Sequence, residues 1–233
     1  MAAKTTLLKR CIVAQSHSRH TASLIFLHGS GDTGEGVRAW VKDVLGTGKD
    51  LVFPHVRITY PSAPARPYTA MKSHMSTVWF DRKRIDNKSP EDDDSIMTSA
   101  ELLGELINSE VREGIPKHRI IVGGFSMGGT MALHLGYRLH RDLAGVFAFS
   151  SFLNENSYVY QKLKENPGIS PPLLQCHGTE DPLVLPAWGK ATQKELKKLG
   201  VSCQYHVFKH MFHEMNKEEI LLLKDFIEKY LPE

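Results

Sequence analysis

The chain has 233 residues, 41% of them hydrophobic and 24% charged, which excludes disordered, collagenous and coiled-coil classes and points to one globular domain. Lys and Arg number 29 against 26 Asp and Glu, a net charge of only +3 with no basic stripe and no interleaved aromatics, so no nucleic-acid partner is expected. The three cysteines, Cys11, Cys176 and Cys203, sit in apolar runs and read as buried free thiols. With no signal-peptide apolar stretch near the N-terminus, they point to a reducing, cytoplasmic setting.

Along the chain, short aliphatic runs alternate with amphipathic stretches. Ala22 to Leu27, Val56 to Tyr60, Ile120 to Gly123, Gly145 to Ser150, Leu173 to His177 and Ser202 to Phe208 read as strands, with strand-like sequence also near Cys11. Most are continuously apolar, as strands buried on both faces must be, which predicts a mostly parallel central sheet flanked by helices. Ser95 to Glu113 carries Ile96, Ala100, Leu103, Ile107 and Val111 at helical spacing, with Gly114 as the terminating residue. Ala187 to Leu199 and Glu218 to Tyr230 have the same character. The acidic run Glu91 to Asp94 precedes the first of these helices, where negative charge complements the dipole, and needs no bound cation. The irregular segment Pro61 to Pro90 is long for a connection inside a compact domain and is expected to cover the active site.

The strongest local signal is Gly123-Gly124-Phe125-Ser126-Met127-Gly128-Gly129, placed between a strand and the helical stretch Thr130 to Leu139. A G-x-S-x-G turn in that context is a nucleophile elbow: strained backbone at the serine leaves room only for glycine around it and presents Ser126 at the carboxyl end of the sheet. A serine hydroxyl needs a histidine to take its proton and a carboxylate to fix that histidine's tautomer, in the chain order Ser, acid, His. After the strand Leu173 to His177, the turn Gly178-Thr179-Glu180-Asp181-Pro182 offers two acids; Asp181 is preferred because Pro182 fixes the backbone beside it, with Glu180 the alternative. The base is His210 or His213, both in the loop after Ser202 to Phe208, while His206 lies inside the strand; residue chemistry alone does not separate the first two. An oxyanion hole needs two donors, one being the backbone N–H of Met127 and the other lying in the loop Leu27 to Asp32. That loop lacks the lysine of a P-loop and the spacing of a dinucleotide fingerprint, so a nucleotide site is excluded.

Taken in order, Ile25-Phe26-Leu27-His28-Gly29-Ser30-Gly31-Asp32-Thr33-Gly34, Trp79-Phe80-Asp81, Gly123 to Gly129, Leu174 to Gly178 with Asp181 to Val184, and His213 resemble the acyl-protein thioesterase and lysophospholipase family of α/β-hydrolases. The similarity is greatest to its lysophospholipase-like branch, since Met127 and Ser30 stand where the thioesterases carry Gln and Leu. The resemblance implies Ser126 as nucleophile, Asp181 as acid, His213 as base, and the backbone N–H groups of Ser30 and Met127 as oxyanion donors. It implies a single α/β-hydrolase domain, no cofactor and no metal, and a substrate that is an S-acylated protein or a small acyl ester. Short-chain esters or lysophospholipid are the alternative, because Phe152 to Tyr158 mixes bulky and polar residues where a long acyl chain would run. Trp79, Phe80 and Phe152 are expected to line the acyl site. Ala2 matches no lipidation signal, so membrane contact is expected to be transient at most. A non-catalytic acyl-binding scaffold is disfavoured because all three triad positions are filled.

Overall fold

A computed structural model describes residues 8–13, 19–46 and 48–233; Ala2 lies outside the described residues. In chain order the strands are β1 (Arg10–Val13), β2 (Ala22–Leu27), β3 (Val56–Pro61), β4 (Ala65–Tyr68), β5 (His74–Thr77), β6 (Ile120–Phe125), β7 (Gly145–Phe149), β8 (Leu173–Gly178) and β9 (Cys203–Phe208). The helices are α1 (Gly34–Leu45), α2 (Asp93–Arg112), α3 (Met127–His134), α4 (Tyr158–Glu165), α5 (Pro186–Lys198) and α6 (Lys217–Tyr230). After α3 the chain runs on through wider π-helical turns, Leu135–Leu139.

Seven strands form one sheet in the order β1-β3-β2-β6-β7-β8-β9, parallel throughout except where β1 runs against β3. Side-chain alternation along each strand divides the apolar residues between two cores. Leu24, Phe26, Ile58, Phe147, Phe149 and Leu174 face the layer containing Val37 and Val41 of α1 and Leu223 and Phe226 of α6. Ile25, Leu27, Val122, Val146 and Ala148 face Ile96 and Leu103 of α2, Met131 of α3, Val159 of α4 and Leu196 of α5. Burial on both faces is why β2, β6, β7 and β8 read as uninterrupted apolar runs. This is the single-domain α/β-hydrolase architecture expected from the sequence. No helix among the described residues is long and apolar enough to cross a membrane.

Local signals account for the helix ends. Asp92 caps α2 by accepting the Ser95 N–H, and Asp93 and Asp94 occupy the first turn, while Gly114 beyond its C-terminus takes φ +94°. Asn216 and Glu219 form a reciprocal capping box on α6. Four details differ from the sequence reading. Glu91 is not a dipole residue: its carboxylate is buried, accepts the Tyr158 N–H and stands 3.3 Å from His134 Nε2. The Pro61 to Pro90 segment is not wholly irregular but contains the β4–β5 hairpin. Only Cys176 is fully buried, Cys11 and Cys203 being half-buried, although all three are free thiols. Finally, α1 and α4 were not anticipated; two of the first three residues of α1 are glycine, and α4 is only eight residues long.

Candidate active site

Because β2, β6, β7, β8 and β9 run parallel, the loops after β2, β6, β8 and β9 all emerge at one edge of the sheet. The loop after β6 is the elbow. Ser126 adopts φ 54°, ψ −121°, a region that costs a non-glycine residue about 1–3 kcal/mol, and the surroundings hold it there. Its N–H donates to the Phe149 carbonyl at 2.8 Å, and its own carbonyl accepts the Thr130 N–H that starts α3 and lies 2.9 Å from Ser151 Oγ. Gly124 and Gly128 are required because a Cβ at either would run into the Leu27 carbonyl oxygen. That close approach brings the elbow against the loop after β2.

Asp181 and His213 come from the loops after β8 and β9, which are laced together by backbone. The Thr179 N–H donates to the Phe208 carbonyl at 2.9 Å and the Glu180 N–H to the Met211 carbonyl at 3.0 Å. A side chain at Gly178 would collide with that same Met211 carbonyl. Asp181 Oδ1 accepts the N–H groups of Leu183 (3.0 Å) and Val184 (2.8 Å), leaving Oδ2 to accept from His213 Nδ1 at 2.7 Å. His213 Nε2 is therefore the acceptor nitrogen, and it lies 3.0 Å from Ser126 Oγ. Burial would push the Asp181 carboxyl up, but the hydrogen bonds from His213 and the Val184 and Leu183 amides outweigh it and hold the carboxyl below its ordinary value. The Phe125 ring packs 4.8 Å from the imidazole.

The structure brings Ser126, His213 and Asp181 into one hydrogen-bonded chain and keeps their sequence neighbours apart. His210 pairs instead with Glu180 at 2.5 Å, on the surface. His206 is half-buried in β9. In the loop after β2, the amides of Gly31 and Asp32 are taken up by the carbonyls of Thr77 and Gly29, while Met127 opens α3 with an N–H that has no intrahelical acceptor. The side chains of Ser30 and Met127 touch, Oγ to Sδ at 3.6 Å.

A cavity of about 390 Å³ opens on Ser126 and His213, within the usual range for a small-molecule site. Phe152 lines it, as the sequence led us to expect; Trp79 and Phe80 do not. Trp79 is fully buried because its indole N–H donates to the His28 carbonyl at 2.9 Å, bracing the loop that carries Ser30. Phe80 is buried beneath the Arg82 guanidinium, 4.8 Å from its ring centre. Residues the sequence reading missed include Tyr68, Met71, Arg82 and Ile85, which line the cavity from the Pro61 to Pro90 segment. His28 was quoted only as part of a motif, yet its ring orders two loops. Nδ1–H donates to the Gly29 carbonyl at 2.6 Å and Nε2 accepts the Ala63 N–H at 2.9 Å, a neutral ring whose pKa burial pushes down. His177 is a further buried ring, donating to the Val184 carbonyl at 2.8 Å beside Asp181.

Comparison with known proteins shows the family and the fold. A family model described as Phospholipase/Carboxylesterase matches residues 8–231. Lysophospholipase-like protein 1 of Mus musculus is 52% identical over 225 residues, 97% of this chain and 93% of its own length. Acyl-protein thioesterase 1 homolog 2 of Dictyostelium discoideum is 34% identical over 226 residues, covering 97% of this chain and all of its own. The crystal structure of acyl-protein thioesterase 2 of Zea mays superposes with a TM-score of 0.77 over 96% of this chain and 99% of that one, at 24% identity.

Proposed function

Because the chain belongs to the phospholipase/carboxylesterase family and is a hydrolase, we propose that it cleaves acyl thioesters and esters through a covalent acyl-enzyme on Ser126. The observation that carries this reading is the continuous chain from Ser126 Oγ through His213 to Asp181, with the acid ionised and bonded to the far imidazole nitrogen. His213 Nε2 takes the hydroxyl proton as Oγ attacks the substrate carbonyl. The tetrahedral oxyanion is met by the N–H groups of Ser30 and Met127, and collapse expels the thiolate or alkoxide, which takes the proton from His213. Water then attacks the acyl-enzyme by the same route and releases the acid. Asp181 fixes the tautomer and stabilises the imidazolium, without itself taking a proton.

The substrate class we favour is S-acylated protein, on the strength of the thioesterase relatives; action in the cytoplasm with at most transient membrane contact is part of the same proposal. A specific observation supports short-chain esters as a second reading: the cavity at Ser126 holds only about 390 Å³, and the bulky side chains of Phe152 and Arg82 are part of its wall. The test is kcat/KM across straight-chain acyl esters and thioesters of increasing length, with Ser126→Ala as the control. Each newly buried methylene adds about 0.8 kcal/mol, roughly fourfold, so a rise continuing to palmitoyl supports depalmitoylation and an early peak supports the short-ester reading. Fluorophosphonate labelling that persists in Ser126→Ala would overturn the nucleophile.

A further inference from the structure

The Arg82 side chain is an unusual element in a cavity whose walls are otherwise built largely from aromatic and aliphatic residues. Its guanidinium lies between two rings, 4.8 Å from the centre of Phe80 and 5.3 Å from that of Phe152. It makes no side-chain hydrogen bond or ion pair with any described residue, and Nη2 is buried without a partner. Two acids are near enough to offset part of the Arg82 charge, but neither bonds to it. Asp86 accepts from the amides of Lys88 and Ser89 and from Ser89 Oγ and pairs with Arg84, while Glu91 accepts the Tyr158 amide on Oε2 and holds Oε1 3.3 Å from His134 Nε2. The acid in the cavity wall itself, Asp32, accepts the Thr33 amide at the start of α1. A second polar group in the same wall, the Tyr68 hydroxyl, is likewise buried and unpartnered.

Arg82 is half-buried, with Nη2 the enclosed end of a guanidinium that stays charged under all working conditions, and a buried N–H of a charged group left without a hydrogen-bond acceptor is costly. The two rings supply part of the compensation through cation–π contact, about 0.5–2 kcal/mol, and fix the plane of the guanidinium. What they cannot supply is an acceptor for its N–H groups. A carboxylate can, in the bidentate geometry that a guanidinium matches, with the Tyr68 hydroxyl as a further donor.

We propose that this cavity selects acyl groups ending in a carboxylate, that is, half-esters or half-thioesters of short dicarboxylic acids, with Arg82 and Tyr68 as the recognition residues and Ser126 as the point of attack. The proposal rests on the hydrolase reading above and specifies its substrate. The carboxylate belongs on the acyl side because the acyl group remains bound to Ser126 through both half-reactions, whereas the leaving group departs after the first. The chemistry is unchanged: the carbonyl carbon exchanges its bond to the leaving oxygen or sulfur for one to Oγ, and water supplies the second exchange.

The test compares a glutaryl half-ester with the pentanoyl ester of the same fluorogenic alcohol. Wild type should favour the glutaryl substrate by about tenfold or more in kcat/KM, the scale of a charge-assisted hydrogen bond. Arg82→Gln should abolish or reverse that preference, and Arg82→Lys should keep part of it. If Arg82→Gln does not fold, inhibition of wild type by glutarate against its neutral diamide gives the same comparison, the dianion being expected to bind at least tenfold tighter. A wild-type preference for the pentanoyl ester would overturn the proposal and make Arg82 a plug. Preference appearing only when the carboxylate is moved to the leaving alcohol would overturn the acyl-side assignment. Failure of every ester together with loss of fluorophosphonate labelling would instead fall on the hydrolase reading, and the proposal with it.

Discussion

Glu219→Gln should make the protein more stable at neutral pH while leaving α6 capped. Glu219 is fully buried at the third position of α6, where Oε2 accepts the Asn216 N–H at 3.2 Å and Oε1 has no partner. Burial, assisted by the nearby Glu214 charge and opposed by that one hydrogen bond, raises its pKa from 4.5 to about 8. The folded state therefore holds a proton that the unfolded chain gives up. A raised folded-state pKa means the contribution is most favourable below pH 4.5 and is lost as pH climbs toward 8, at about 1.4 kcal/mol per pH unit in the middle of that window. Between pH 5 and pH 7 the wild type should lose about 2–3 kcal/mol from this group alone. Glutamine keeps an acceptor for the Asn216 amide but has nothing to titrate, so the variant should be about 3 kcal/mol more stable at pH 7 and nearly equal at pH 4.5. For a chain of this size that is about 6–12 °C in Tm. Thermal or urea unfolding of both proteins from pH 4.5 to pH 8 measures the difference directly, since all other titrating groups are common to the pair. A difference that does not grow with pH would refute the assignment of a buried, protonated carboxyl.

The two acid–histidine pairs make opposite predictions: Asp181→Asn should lower turnover by about 10⁴ through the wrong His213 tautomer, whereas Glu180→Gln and His210→Ala should cost far less, as kcat/KM on any accepted ester would show. Because the Asp181 pKa is lowered on folding, its stabilising contribution is present above the unfolded value of 3.8 and lost as pH falls below it, so Asp181→Asn should flatten the acid limb of the stability curve. Gly189→Ala would drive a methyl into His177 Nδ1 and should cost about 1–3 kcal/mol with a fall in kcat, read by Tm and steady-state kinetics. Trp79→Phe removes the donor to the His28 carbonyl and should cost about 1–3 kcal/mol and slow turnover, yet leave acyl-length preference unchanged, because Trp79 does not line the cavity.

Legibility in the sequence followed the backbone. The central strands were readable because burial on both faces allows only apolar residues, and the elbow because Gly124 and Gly128 pack against the Leu27 carbonyl. The choice of His213 over His210 was not readable from residue chemistry. Both are loop histidines three residues apart, and each has an acid within reach, so the distinction lies in which acid is buried: Asp181 is, whereas Glu180 shares the surface with His210. Trp79 misled for a related reason. An aromatic beside a covering segment can face substrate or core, and what sends it inward is the need to pair its indole N–H, a partner visible only in three dimensions. Arg82 was overlooked because an arginine among Asp81, Lys83 and Arg84 reads as solvated surface, and nothing in that string announces two rings closing over it.

That division has a functional consequence. The groups of the proposed chemistry are held mainly by main-chain atoms: Ser126 by the Phe149 carbonyl, Asp181 by the Val184 and Leu183 amides, and the β8 and β9 loops by bonds between Thr179, Glu180, Phe208 and Met211. Substitutions that preserve the backbone leave this frame intact, and on the proposed mechanism residue 127 contributes to it through its N–H. The cavity is held differently, by side chains of Tyr68, Met71, Arg82 and Ile85 from the segment between β3 and α2 and by Phe152 beyond β7. None of these bonds to Ser126, Asp181 or His213, so one acyl-transfer frame can serve different acyl groups as that wall changes. Acyl preference should therefore move with Arg82 and Phe152, whereas Asp181 and His213 variants should lower kcat/KM for every accepted acyl group by a similar factor, as a chain-length series on each variant would show.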